Sequence, residues 1–375
     1  MFVGADWKRF FNMPFKKKFF SIFAPPRYLE MSAAGLDISD QAIRFIEFSK
    51  SKNGLTPTVF GEEKIPQGVI VSGEINKKDE LIKILSSLRQ KYHLNFVKAS
   101  LPEEKAYFFK TEIPKVEGDE IRQSIEFRLE ENVPVRAGEV LFDYSLISEE
   151  HKKSDHLDVI VSVIPKLVAE SYAEALEKSG LTAVSFEVES KAIARSAVKR
   201  GSGGSVMIIN IRDRVTVVTL VRDGIVRFTS AFSMGGNLIT EALRKNFSIS
   251  LEEAKKIKND KLYSENKESV AIFFSLASIV SVIKDEISKF YTYWLAKNDS
   301  SGESGGKISK IILCGKDAAI AGLKEYLSQN LKIEVETADV WANTFSLSDR
   351  LPEIDFLESL NFAVAIGLAM PQGRD

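Results

Sequence analysis

One repeated pattern limits the possible folds of this chain more than any other feature. At 34–66 the stretches "AGLDIS", "AIRFIEFSK" and "TPTVFGEEKIP" read as three apolar-rich strands joined by short polar turns. At 205–233 "SVMIINIRDRVTVVTLVRDGIVRFTSAFS" reads as three strands again, joined by "RDR" and "RDG". Asp223-Gly224 is a tight-hairpin signal because glycine accepts positive φ. A helix and a further strand follow each triplet. In the first copy "KDELIKILSSLRQKYH" carries apolar residues at 81, 82, 85 and 88, a helical spacing, before "FVKASLP". In the second, "NLITEALRKNFS" precedes "KISKIILCG". A duplicated β-β-β-α-β unit predicts an α/β chain of two lobes with a cleft between them, and 375 residues supply a core for each. "GSGGS" (201–205) is expected to be the hinge, and "NDSSGESGG" (298–306) a flexible surface loop.

Residues 107 to about 190 interrupt the repeat. "DEIRQSIEFRLEENVPV" places Ile121, Ile125 and Leu129 on one helical face, with Pro134 ending the helix. "EVLFDYSLI" and "HLDVIVSVIP" read as strands, and "KLVAESYAEALEKSGL" as a second helix capped by Gly180. Together they predict a compact α+β subdomain.

Composition excludes several classes of function. A net charge of −1 provides no global field for nucleic acid, and the single cysteine, Cys314, excludes an internal disulfide framework. It reads as a buried small hydrophobe. The three histidines lack metal-ligand spacing. The richest apolar run, "AIFFSLASIVSVIKDEI", is broken by serines and charges and reads as a buried helix rather than a membrane span. The first thirty residues differ in character. "WKRFFNMPFKKKFFSIFAPPR" alternates basic with aromatic side chains, and residues 1–30 carry six basic residues against Asp6 and Glu30. Such a segment is expected either to lie as an amphipathic anchor on an anionic membrane surface or to be a disordered leader that docks on the protein's own surface, and the membrane or a partner is favoured.

With these stretches in order, the chain resembles the actin-like proteins of the FtsA type, and within them the PilM family of type IV pilus inner-membrane platforms. The resemblance rests on "GLDISDQAIRFIEF", "SLPEEKAYFFKTEIP", "IRQSIEFRLEENVPV", "FSMGGNLITEALRKNFSISLEEAKKIK", "IKDEISKFYTYW" and "FAVAIGLAM", and runs from about 33 to 370. It implies an actin-like ATPase fold of two duplicated lobes with an α+β insert. Its expected parts are a leader at 1–32, a first lobe at 33–106 and 189–203, an insert at 107–188 and a second lobe at 204–375. It also implies a cytoplasmic location, peripheral to the inner membrane.

The resemblance further implies ATP with Mg²⁺ in the cleft, held near Asp37, Ser39, Asn210, Arg212, Gly235, Gly236, Lys258 and Gly315. Much of that pattern is altered. Ser39 and Arg212 stand where glycines are usual, Asn210 where an aspartate is usual, and Lys255 where a glutamate is usual. Asp40 adds negative charge, and Lys316 and Asp317 replace two glycines of the adenine-side turn. Each side chain placed where φ must be positive costs about 1–2 kcal/mol. Asn210 cannot serve as a carboxylate base, so hydrolysis is not expected and tight nucleotide binding is disfavoured, although Arg212 and Lys316 could pair with phosphate. The opening turn is therefore expected mainly to join strands.

The implied partner is the N-terminal cytoplasmic peptide of a PilN-like inner-membrane protein, bound in the groove between the first lobe and the insert, and other pilus platform components are implied as further partners. "FVKASLP" and "AYFFKTEIP" are expected to offer a strand edge, Phe108, Phe109 and Ile113 a pocket wall, and the helix bearing Ile121 and Ile125 a closing side. Two other functions share these residues. One is an active actin-like ATP-binding protein that self-associates into filaments. The other is the cytoplasmic module of a type II secretion platform, normally followed by a transmembrane helix where this sequence ends "MPQGRD".

Overall fold

The computed structural model describes residues 32–51, 54–147, 155–264, 266–300, 307–346, 348 and 350–371, side chains of 297–300 excepted. The aromatic leader and most of the 298–306 loop lie outside the described residues. The chain forms two compact units, and it crosses between them at 189/190 and again at 363/364. The "GSGGS" stretch is thus inside the second unit and not at a crossing point.

In the first unit β1 (Ala34–Ile38), β2 (Ala42–Ser51) and β3 (Gly54–Lys64) form an antiparallel meander. A small hairpin of β4 (Ile70–Val71) and β5 (Glu74–Ile75) leads to α1 (Lys78–Tyr92). This helix buries Leu81, Leu85 and Leu88, spaced three or four apart, with Asp79 and Glu80 in its first turn and Arg89 and Lys91 in its last. β6 (Phe96–Leu101) then pairs parallel with β1.

The insert follows. β7 (Tyr107–Pro114), α2 (Asp119–Asn132), β8 (Val140–Leu146) and β9 (His156–Pro165) give a three-stranded antiparallel sheet in the order β7-β9-β8. α2 lays Ile121, Ile125 and Leu129 on that sheet and stops at Val133, in extended backbone before Pro134. α3 (Lys166–Lys178) and β10 (Thr182–Val188) belong elsewhere. Ala169, Tyr172, Ala175 and Leu176 of α3 join the core of the first sheet, and β10 pairs parallel with β6. The inserted subdomain is accordingly smaller than 107–188. The completed first sheet runs β10-β6-β1-β2-β3.

After α4 (Glu189–Ala197), the second unit builds the same sheet again. β11 (Ser205–Ile211), β12 (Thr216–Arg222) and β13 (Ile225–Phe232) are an antiparallel meander, with Asp223 and Gly224 at φ 53° and 78° in its second turn. Four helices follow: α5 (Gly236–Phe247), α6 (Leu251–Lys261), α7 (Lys267–Ser275) and α8 (Ala277–Ser300). The apolar run expected as one buried helix is therefore two, parted at Leu276, and it exposes Phe274 at 69%. α6 starts with a reciprocal Ser250–Glu253 cap. β14 (Ile308–Cys314) pairs parallel with β11, and after α9 (Leu323–Leu331), β15 (Glu334–Thr337) pairs parallel with β14. The order β13-β12-β11-β14-β15 mirrors the first sheet, so the sequence repeat is a structural duplication.

α10 (Phe356–Ser359) and α11 (Ala363–Ala369) end the described chain. α11 returns to the first unit and packs on β1 so closely that a Cβ at Gly35 would stand 2.0 Å from the Ala365 carbonyl oxygen. Among the described residues, no helix is long and apolar enough to cross a membrane.

Candidate functional site

The first unit carries Asp37 and Ser39. Asp37 lies on β1, 2% exposed, and its Oδ1 accepts from the Ser100 hydroxyl at 3.1 Å. The same Ser100 oxygen accepts the Ile38 N–H at 2.9 Å, which ties β1 to β6. Ser39 closes the β1–β2 turn on itself. Its N–H and hydroxyl donate to the Ala42 carbonyl at 3.0 and 2.8 Å, and its oxygen accepts the Ala42 N–H at 3.2 Å. Asp40 reaches away to accept the N–H groups of Ser72 and Gly73 at 2.8 and 3.1 Å. The donors and acceptors of this turn hold strands and a neighbouring loop together.

In the second unit the remaining nucleotide candidates converge. Asn210, at the end of β11, stands opposite Cys314, and Gly315 follows directly. Gly315 is left-handed at φ 81°, and a Cβ there would lie 2.2 Å from the Ile211 carbonyl oxygen and 3.0 Å from Asn210 Oδ1. The turn of Arg212 and Asp213 presses on Gly235, where a Cβ would meet the Arg212 oxygen at 2.2 Å. Arg212 also accepts the Gly236 N–H at 2.9 Å, which sets the start of α5.

At the centre is a buried ion pair. Lys258 Nζ, from α6, lies 2.6 Å from Asp317 Oδ1, with side chains 9% and 8% exposed. The ammonium also donates to the Gly236 carbonyl at 3.0 Å. The Tyr263 hydroxyl donates to the same Asp317 oxygen at 2.7 Å. Burial, and then the Asp317 charge, push the Tyr263 phenol far above its ordinary pKa, so it stays a donor. A Cβ at Gly236 would stand 1.6 Å from Asp317 Oδ2, so the carboxylate rests on the bare glycine. Lys316, expected to be able to meet phosphate, instead pairs with Glu358 at 2.5 Å and lies 5.4 Å from the Tyr263 ring centroid. Sequence reasoning marked Asp317 only as a lost glycine and missed Tyr263. No local spacing shows that a residue after β14 will meet one on α6.

The peptide-binding candidates separate by burial. Ile113, Ile121 and Ile125 are 1%, 8% and 0% exposed in the core of the insert, so they present no surface to a ligand. Phe108 and Phe109 are half-buried on β7 and pack against the first-sheet core and the insert core respectively. The apolar side chain that α2 offers to solvent is Phe127, 83% exposed. "FVKASLP" supplies no free edge, since β6 lies between β1 and β10. Among the described residues β7 does, because it is one of the two terminal strands of the insert sheet, β8 being the other.

Two further groups have limited chemistry. Glu112, His156 and Asp158 bring one ligand atom each within 4.8 Å, but Lys110 Nζ already lies 3.0 Å from Asp158 Oδ2. Cys314 is buried, and burial pushes its thiol up to about 12, which leaves it without a thiolate near neutral pH.

Comparisons with known proteins agree with this architecture. A family model described as type IV pilus assembly protein PilM matches residues 35–372. The fold is similar to that of a solved PilM-PilN type IV pilus biogenesis complex, at 20% identity and TM-score 0.74, covering 92% of this chain and 98% of that one. The ethanolamine utilization protein EutJ from Carboxydothermus hydrogenoformans is similar at 14% identity and TM-score 0.52, over 91% and 89%. MreB5 of Spiroplasma citri, solved bound to ADP, is similar at 14% and TM-score 0.52, over 83% and 93%. The duplicated sheets are those of the actin-like ATPase fold, and the chain belongs to the type IV pilus assembly protein PilM family.

Proposed function

We propose that this chain is a cytoplasmic scaffold of a type IV pilus assembly platform that captures the short tail of a PilN-like inner-membrane protein. The family match over residues 35–372 carries this reading, and the likeness to a PilM-PilN complex supports it. The tail is proposed to add as a strand along the free edge of β7, where main-chain groups supply hydrogen bonds and Phe108 and Phe109 supply half-buried apolar contact. Lys110 and Glu112 on the same strand discourage indiscriminate edge pairing. The nucleotide positions are proposed to be structural. Ser39 and Asp40 are engaged in turn hydrogen bonds, Lys258 in an internal ion pair and Lys316 with Glu358. Residues 1–30 are proposed to hold the chain against an anionic membrane surface.

Calorimetry with a synthetic tail peptide tests the central reading. Binding should be lost in Phe109→Glu at a temperature where circular dichroism shows the variant folded, and Phe127→Glu should report whether α2 shares the contact. Undiminished binding in Phe108→Glu and Phe109→Glu would exclude the β7 edge. Absence of binding to the unaltered chain would sink the scaffold reading.

A further inference from the structure

We propose that Asp317 is the residue that shuts nucleotide out of the second unit, its carboxylate serving as a built-in anion on a seat made by Lys258, Tyr263 and Gly236. This deepens the reading of an altered nucleotide site and is independent of peptide capture. The seat has the features of an anion-binding site. It has a buried ammonium and a hydroxyl donor, both directed at one oxygen from 2.6 and 2.7 Å. It has a glycine whose missing side chain leaves room for the second oxygen, since a Cβ there would overlap Oδ2 at 1.6 Å. Asp317 is 6% exposed and Lys258 7%, so water does not compete for either group.

An incoming ligand meets two obstacles. The space over Gly236 is filled, and the Lys258 cation that would attract a phosphate, or donate to a ribose hydroxyl, is already neutralised at contact distance. A phosphate brought beside the carboxylate is repelled. Lys316 does not relieve this, because its ammonium is held by Glu358. Asp317 thus acts as a specificity-determining residue by occupying the place and the charge that a ligand needs.

The test is calorimetry of the full chain with Mg-ATP, on the wild type, Asp317→Gly and Asp317→Ser, the serine variant keeping an oxygen for Tyr263. The variants should bind Mg-ATP about tenfold or more tighter than wild type, the worth of one charge-assisted hydrogen bond regained by Lys258. Adding Lys258→Met to Asp317→Gly should abolish that gain. A gain that survives Lys258→Met, equal affinity in wild type and variants, or no binding by a folded variant overturns the proposal. Tight Mg-ATP binding by the wild type overturns it without any variant. Tail-peptide binding measured on the same proteins should be unchanged, which separates this result from the fate of the scaffold reading.

Discussion

Single residues around the second-unit turn set narrow tolerances. Gly236→Ala should destabilise the fold, because the added methyl meets Asp317 Oδ2 at 1.6 Å, and Asp317→Gly should suppress the defect in a double-mutant cycle read by denaturant unfolding. Removing the Asp317 carboxylate alone, with no ligand present, should cost about 3–5 kcal/mol, since it strands a buried ammonium. The apolar pair Lys258→Met with Asp317→Leu should recover much of that loss. Gly315→Ala should cost about 2 kcal/mol or more, combining left-handed strain with a 2.2 Å approach to the Ile211 oxygen. Cys314 should resist alkylation in the native chain and react only on unfolding, as its burial and raised thiol pKa require. The glycines of this region were legible in the sequence, because the resemblance fixed their positions. The Lys258–Asp317 contact was not, because it joins residues 59 positions apart in two separate motifs (317 − 258).

At the scale of elements, α1 and α3 are joined by a surface cluster in which Glu174 lies 2.7 Å from Lys178 and 2.5 Å from Lys78. Lys178 and then Lys78 hold the Glu174 carboxyl at about 2, below its ordinary 4.5. A carboxyl depressed on folding stabilises above its unfolded pKa, and that contribution fades as pH falls from about 4.5 toward about 2. A pH titration followed by NMR should place the Glu174 midpoint near 2, and Lys178→Met should raise it more than Lys78→Met. The strands and helices themselves were readable, because period-2 and period-3.6 patterns are local. Partner strands were not. "TAVSFEV" looks like a strand in any sheet, and only long-range pairing assigns β10 to β6 rather than to the insert. The insert helix shows the same limit, since its stripe of Ile121, Ile125 and Leu129 proved to be core, while exposed Phe127 sits among charges without a periodic signal.

For the molecule as a whole, the duplication of sheets follows from the repeat that opens the sequence, whereas the crossing points do not, because no composition shift marks 189/190 or 363/364. Deleting residues 1–30 should remove the salt-sensitive part of flotation with anionic liposomes and leave the unfolding midpoint in place; equal flotation would assign that segment another task. Mg-ATP turnover should not rise above that of a heat-denatured control. The return of α11 to the first unit has a consequence for the order of assembly during synthesis. The Lys98 ammonium donates to the Met370 carbonyl at 3.3 Å across a sequence separation of 272, and Gly35 is shaped to receive Ala365. Domains emerging from a ribosome usually mature in the order of translation. Here the unit translated ahead of residue 190 waits for a segment that follows residue 363, while the unit between can finish earlier. Nascent chains carrying residues up to 363 clear of the ribosome on a C-terminal linker should hold a protease-resistant second unit beside a first unit that is still readily cleaved, and addition of residues 364–371 should bring the first to maturity.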